Sequence, residues 1–81
     1  MLEFTSTARR EISKLSSPIR EQLETDLQQL AADPFRGKLL HGRLKGVRSW
    51  RSGDYRILYG VLLREGKLTV FRVAHRREAY R

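Results

Sequence analysis

The sequence predicts an α+β domain: an N-terminal strand, a two-helix hairpin and then an antiparallel three-stranded meander, with the helices on one face of the sheet. Three observations carry this. Apolar residues recur at three- and four-residue spacing as far as Leu30, and from Val47 onward they form the aliphatic and aromatic runs of strands. Gly and Pro mark the places where one pattern gives way to the other. Eighty-one residues, 40% of them hydrophobic, suit one modest core and not two, so residues 1–81 are expected to form a single domain.

The elements follow in order. Leu2 and Phe4 flank Glu3 in a short alternating run, which predicts a first strand. Ala8, Ile12 and Leu15 then make one stripe of a short helix. Ser16-Ser17-Pro18 restarts the chain, with Ser17 as helix cap and Pro18 at the first helical position, where no amide donor is needed. Ile19, Leu23, Leu27 and Leu30 form the apolar face of this second helix, and Asp33-Pro34 ends it. Residues 35–46 are glycine-punctuated and basic, and predict an irregular connector. Strands are expected over 47–51, 55–63 and 68–74, separated by a turn at 52–54 and a hairpin turn at 64–67. The helices would then cover one sheet face and leave the other, or its end, open.

Charge is distributed unevenly. The net charge is +8. Residues 1–33 carry four Arg or Lys against six acids, a net −2, whereas residues 34–81 carry thirteen against three, a net +10. Such a polarised basic half is expected to meet a phosphate-rich or acidic partner. There is no cysteine, which excludes a disulfide scaffold, a thiolate metal site and a cysteine nucleophile. No zinc-ligand spacing, phosphate-cradling glycine loop or nucleophile triad is present. The N-terminus lacks the layout of a signal peptide, and no apolar run approaches the roughly 20 residues that cross a bilayer. A soluble, cytoplasmic protein is expected.

The hairpin makes a geometric statement. If Glu65 and Gly66 form a two-residue loop, Arg64 faces Lys67 and Arg56 faces His75. A slip of one residue would set Arg56 opposite Arg76. Either register gathers cations at the far end of the hairpin, where an anion would supply the missing counter-charge.

The run Arg51-Ser52-Gly53-Asp54-Tyr55-Arg56-Ile57-Leu58-Tyr59 is followed, after a hairpin, by Val73-Ala74-His75-Arg76-Arg77-Glu78-Ala79-Tyr80 and preceded by Leu44-Lys45-Gly46. This pattern resembles the RelE/ParE toxin superfamily over essentially the whole chain. The resemblance implies the toxin of a type II toxin–antitoxin pair, bound by a cognate antitoxin in a hetero-oligomer. RelE-like members cleave mRNA in the ribosomal A site without a metal or other cofactor, through attack of the ribose 2′-oxygen on the adjacent phosphate. ParE-like members inhibit DNA gyrase and are not nucleases, and a relative that binds RNA without cutting it is the other alternative. Carried over by position, Arg56 and Arg76 would hold and neutralise the phosphate, through the planar fork and permanent charge of arginine. Tyr80 would stack on a base or orient the nucleophile, and His75 would be the acid or base. Arg43, Lys45, Arg48, Arg51 and Arg77 would bind the RNA backbone.

The stretch 47–51 holds arginines where RelE-type sites often have lysines, so the group that takes the 2′-hydroxyl proton is unassigned by the resemblance. Arg36, Lys38, Arg43 and Lys45 read equally well as a phosphate patch or a solvated loop. His41 reads as a solvated loop residue, Trp50 and the pair Tyr55 and Tyr59 as packing residues, and Asp54 as a turn former.

Overall fold

The computed structural model describes residues 1–79. Its elements are β1 (Leu2–Phe4), α1 (Ser6–Ser13), α2 (Ser17–Ala32), β2 (Lys38–Leu39), β3 (Arg48–Ser52), β4 (Tyr55–Leu62) and β5 (Lys67–His75). They form one five-stranded sheet in the order β1-β5-β4-β3-β2. The expected meander is β3, β4 and β5, antiparallel throughout. β1 lies parallel to β5, with Leu2, Glu3 and Phe4 facing Leu68, Thr69 and Val70. A parallel neighbour requires a long crossover, and the helical hairpin together with the meander supplies it.

The helices are built locally, then locked to the sheet. Thr5 caps α1: its side-chain oxygen accepts from the Ala8 amide at 3.1 Å. The same hydroxyl donates to the Phe71 carbonyl at 2.9 Å, which pins the start of α1 to β5. Ser16, not Ser17, is the cap residue of α2, and it makes no side-chain capping bond. Pro18 therefore sits one position deeper than the sequence suggests, still in the first turn where its missing donor costs nothing. Ala8, Leu23, Leu27 and Leu30 bury against Ile57, Tyr59, Leu68, Val70 and Val73. No helix among the described residues is long and apolar enough to cross a membrane.

Three expectations are corrected. The connector 35–46 is not wholly irregular, because Lys38 and Leu39 pair with Ser49 and Arg48 as β2. A 3-10 turn over Gly42–Leu44 follows. The hairpin loop has four residues, not two: Leu62 faces Lys67, and Gly66 closes the turn in the left-handed region at φ 60°. A bulge then skips Phe71, so Arg56 faces Ala74 and Tyr55 faces His75. Finally, the helix-free face is only partly open. Leu58, Ala74 and Ala79 are buried yet lie outside the helix-side cluster. The turn past β5, closed by the Glu78 and Ala79 amides on the His75 carbonyl, brings Ala79 in.

Two acids on the helices hold the sheet. Glu11 of α1 reaches β5 beyond the end of β1, accepting from the Val73 amide at 2.9 Å and from the Arg72 guanidinium at 2.7 Å. It occupies a stretch of strand edge that would otherwise stand unpaired. The Glu11 bond also raises the Arg72 pKa further above its ordinary value. Asp26 of α2 is buried, and accepts from the Ser52 hydroxyl, the Trp50 indole N–H at 3.4 Å and the Gln22 amide at 3.3 Å. Removing it strands the Ser52 and Trp50 donors against α2. Asp26→Ala is expected to lower unfolding stability by about 1–3 kcal/mol. A lower urea midpoint at unchanged slope would show it; an unmoved midpoint would refute it.

Candidate nucleic-acid interface

Strand alternation sorts the basic residues onto two faces. On β3, Arg48, Trp50 and Ser52 point toward the helices. Arg48 donates to the Gly37 carbonyl at 2.9 Å and lies 4.8 Å from the Phe35 ring centroid. It ties down the connector. Trp50 packs against the core, with the Arg36 guanidinium 5.1 Å from its ring centroid, as a packing residue should. Arg51, between Trp50 and Ser52, points the other way.

Across the β3–β4 ladder Arg51 faces Arg56, so two guanidinium groups stand opposite each other on the helix-free face. Arg51 is exposed and its Nε donates to the Gly53 carbonyl at 2.9 Å. Arg56 is half-buried. Like charges directly across a ladder repel. Among the described residues the ion pairs are Lys67 with Glu3 and Arg72 with Glu11, so no carboxylate neutralises Arg51 or Arg56.

Arg56 also forms one wall of a concavity of about 460 Å³, whose other walls are Lys38 of β2, His41 and Arg43. Leu40 and Leu44 complete the lining. Three permanent cations and an imidazole thus converge on an apolar base, with no acid among the lining residues. The wall is held by backbone: the Leu40 amide donates to the Val47 carbonyl at 2.9 Å, and the Val47 amide to the Leu44 carbonyl at 3.0 Å. Gly42 turns at φ 71°, a conformation open to glycine. The connector is anchored from below by Tyr59. Its buried hydroxyl donates to the Pro34 carbonyl at 2.7 Å and accepts from the Gly37 amide at 2.9 Å. Burial is the main cause that raises the Tyr59 phenol pKa above 10.0, opposed by the Gly37 bond and by Arg48.

The residues singled out from sequence are placed as follows. Arg43, Arg51 and Arg56 share the helix-free face or its concavity, and Lys45 is exposed just after the 3-10 turn. Arg48 is on the opposite face. His75 is also turned away from Arg56: it faces Tyr55 across the ladder, with the rings edge to face at 5.7 Å between centroids. Its Nδ1 accepts a long bond of 3.4 Å from the Arg77 amide. Arg76 is exposed at the same end of the hairpin, its amide donating to the Asp54 carbonyl at 2.8 Å. Arg77 is exposed next to it. Tyr80 lies outside the described residues. His41, expected from the sequence to be a solvated loop residue, is exposed, and it also lines the concavity.

The family profile described as "ParE toxin of type II toxin-antitoxin system, parDE" matches residues 2–80. Toxin RelG of Mycobacterium tuberculosis is 38% identical over 82 residues, covering 99% of this chain and 94% of RelG. Among solved structures, a chain of the toxin–antitoxin complex RelBE2 from Mycobacterium tuberculosis superposes with a TM-score of 0.85 at 36% identity, over 93% of this chain and 95% of that one. The isolated E. coli RelE toxin superposes with a TM-score of 0.77 at 29% identity, over 93% and 82%.

Proposed function

The chain belongs to the ParE toxin family of type II toxin–antitoxin systems, within the RelE/ParE superfamily, and from that premise we propose that it is a ribosome-dependent mRNA endoribonuclease. The observation that carries this reading is the unpaired Arg51–Arg56 couple beside a cationic concavity. A cross-strand couple of like charges is unfavourable until a phosphate lies between its members. Similarity to proteins called RelG and RelE supports a RelE-like activity over a ParE-like one.

In this reading mRNA held on the ribosome lies across the helix-free face. Arg56 grips the scissile phosphate bidentately, and its charge counters the negative charge that builds on the pentavalent phosphorus. Arg76, entering from the end of β5, shares that load. Lys38, Arg43, Lys45, Arg51 and Arg77 hold flanking phosphates, which positions the strand without reading its bases. Tyr80 stacks on a base or orients the nucleophile. In the cell its partner is a cognate antitoxin, a reading supported by the likeness to a chain of the toxin–antitoxin complex RelBE2.

The test is a programmed translating ribosome with purified protein and a map of mRNA ends. Cuts within the A-site codon are the expected result. No cuts, together with gyrase-dependent DNA breaks, would overturn the reading in favour of the gyrase-inhibitor activity of ParE-like members.

A further inference from the structure

The 2′-oxygen attack needs a group that accepts a proton beside the phosphate, and arginine, charged at all ordinary pH, is a poor one. Four features of the fold point to one residue. His41 lines the concavity that Arg56 walls. Among the described residues no carboxylate shares that lining, whose other polar members are Lys38, Arg43 and Arg56. The second histidine, His75, is on the far side of the sheet, engaged with Tyr55 and the Arg77 amide. His41 itself makes no side-chain hydrogen bond among the described residues, and its backbone is fixed between two loop closures, Leu40 to Val47 and Lys45 to Gly42.

We infer that His41 is a catalytic residue, the base that activates the ribose 2′-hydroxyl. The inference rests on the endoribonuclease reading and deepens it. The neutral imidazole takes the 2′-hydroxyl proton as the 2′-oxygen forms its bond to phosphorus. The bond from phosphorus to the 5′-oxygen then breaks, leaving a 2′,3′-cyclic phosphate. The departing 5′-oxygen takes a proton from solvent, and the imidazolium returns its own to solvent, so no proton is gained or lost overall. Lys38 from β2, Arg43 from the 3-10 turn and Arg56 from β4 are the charged groups that line the same concavity as the imidazole. They hold the phosphate whose neighbouring hydroxyl it deprotonates.

The experiment is single-turnover cleavage on programmed ribosomes by the full chain and by His41→Gln and His41→Ala. The expected result is a fall in rate of roughly 10²–10⁴-fold, with little change in the toxin concentration that gives half the maximal rate. Because the base must be neutral, the wild-type rate should rise with pH on its acidic limb, and His41→Gln should lack that limb. Added imidazole should restore part of the His41→Ala rate, which a merely structural role would not allow. Near wild-type cleavage by a folded His41→Gln overturns the inference and leaves the nuclease reading standing. So does cleavage that survives His41→Gln but not His75→Gln. Wild-type protein that cuts no RNA overturns both.

Discussion

Arg56→Ala is expected to cut the rate of mRNA cleavage by roughly 10²–10³-fold, the loss typical of removing one donor aimed at transition-state charge, while the protein stays as stable or becomes slightly more so. The two halves of this expectation come from the same geometry. Arg56 faces Arg51 in the folded ladder, and no carboxylate among the described residues offsets either charge. Deleting one member relieves a repulsion whose size is a few tenths of a kcal/mol, by the scale of cross-strand pairs. The side chain is half-buried, so a little apolar stem is lost in exchange. Arg56→Lys keeps the charge but not the fork, and should recover only part of the rate. Cleavage on programmed ribosomes and a thermal melt, taken together, check the pair of effects. A variant that loses activity only in proportion to lost stability would mean Arg56 is structural.

That split between activity and stability explains what the sequence could and could not disclose. The basic half, the Gly-Asp-Tyr-Arg run and the strand pattern of the C-terminal half are local features, and they led directly to Arg56. Its partner was not local. The two-residue hairpin loop would have placed His75 opposite it. Instead a four-residue loop moves the register by two positions, and the bulge at Phe71 moves it back by one. One residue of net slip turns His75 to the other face of the sheet. Phe71 looks like any strand residue, and nothing in its neighbours announces a bulge. β2 was missed for a related reason: two residues carry no periodicity, and Lys38 and Leu39 are a strand only because Ser49 and Arg48 lie beside them. His41 follows from β2, because pairing Lys38 and Leu39 to β3 is what carries the next residues to the rim of the cationic concavity. Thus the basic side chains proposed to bind phosphate could be named from the sequence, and the side of the sheet each one occupies could not.

The same dependence on distant contacts makes Tyr59→Phe the variant expected to disturb the site most without touching RNA. The Tyr59 ring is fully buried at the centre of the sheet, and its hydroxyl is the anchor of the connector that leads to Lys38 and His41. Phenylalanine fills the same space but leaves the buried Gly37 amide without its partner, a loss of about 1–3 kcal/mol. The chain cannot close up to compensate, since Gly37 already lies so near Tyr59 that even a methyl there would collide with the ring and hydroxyl. Urea unfolding at neutral pH should show a lower midpoint, and cleavage should weaken through looser placement of Lys38 and His41. The phenol adds a signature in pH. Burial raises its folded pKa above 10.0, so below pH 10.0 it is protonated in both the folded and unfolded chains and its contribution is complete. Above pH 10.0 the unfolded chain releases the proton first, fewer protons are bound when unfolded, and stability falls as pH rises toward the folded pKa. Wild-type protein should therefore lose stability more steeply than Tyr59→Phe across that alkaline window, and the gap between their midpoints should narrow. Parallel curves would show that the hydroxyl is not the anchor, and that the connector is held by Arg48 on the Gly37 carbonyl instead.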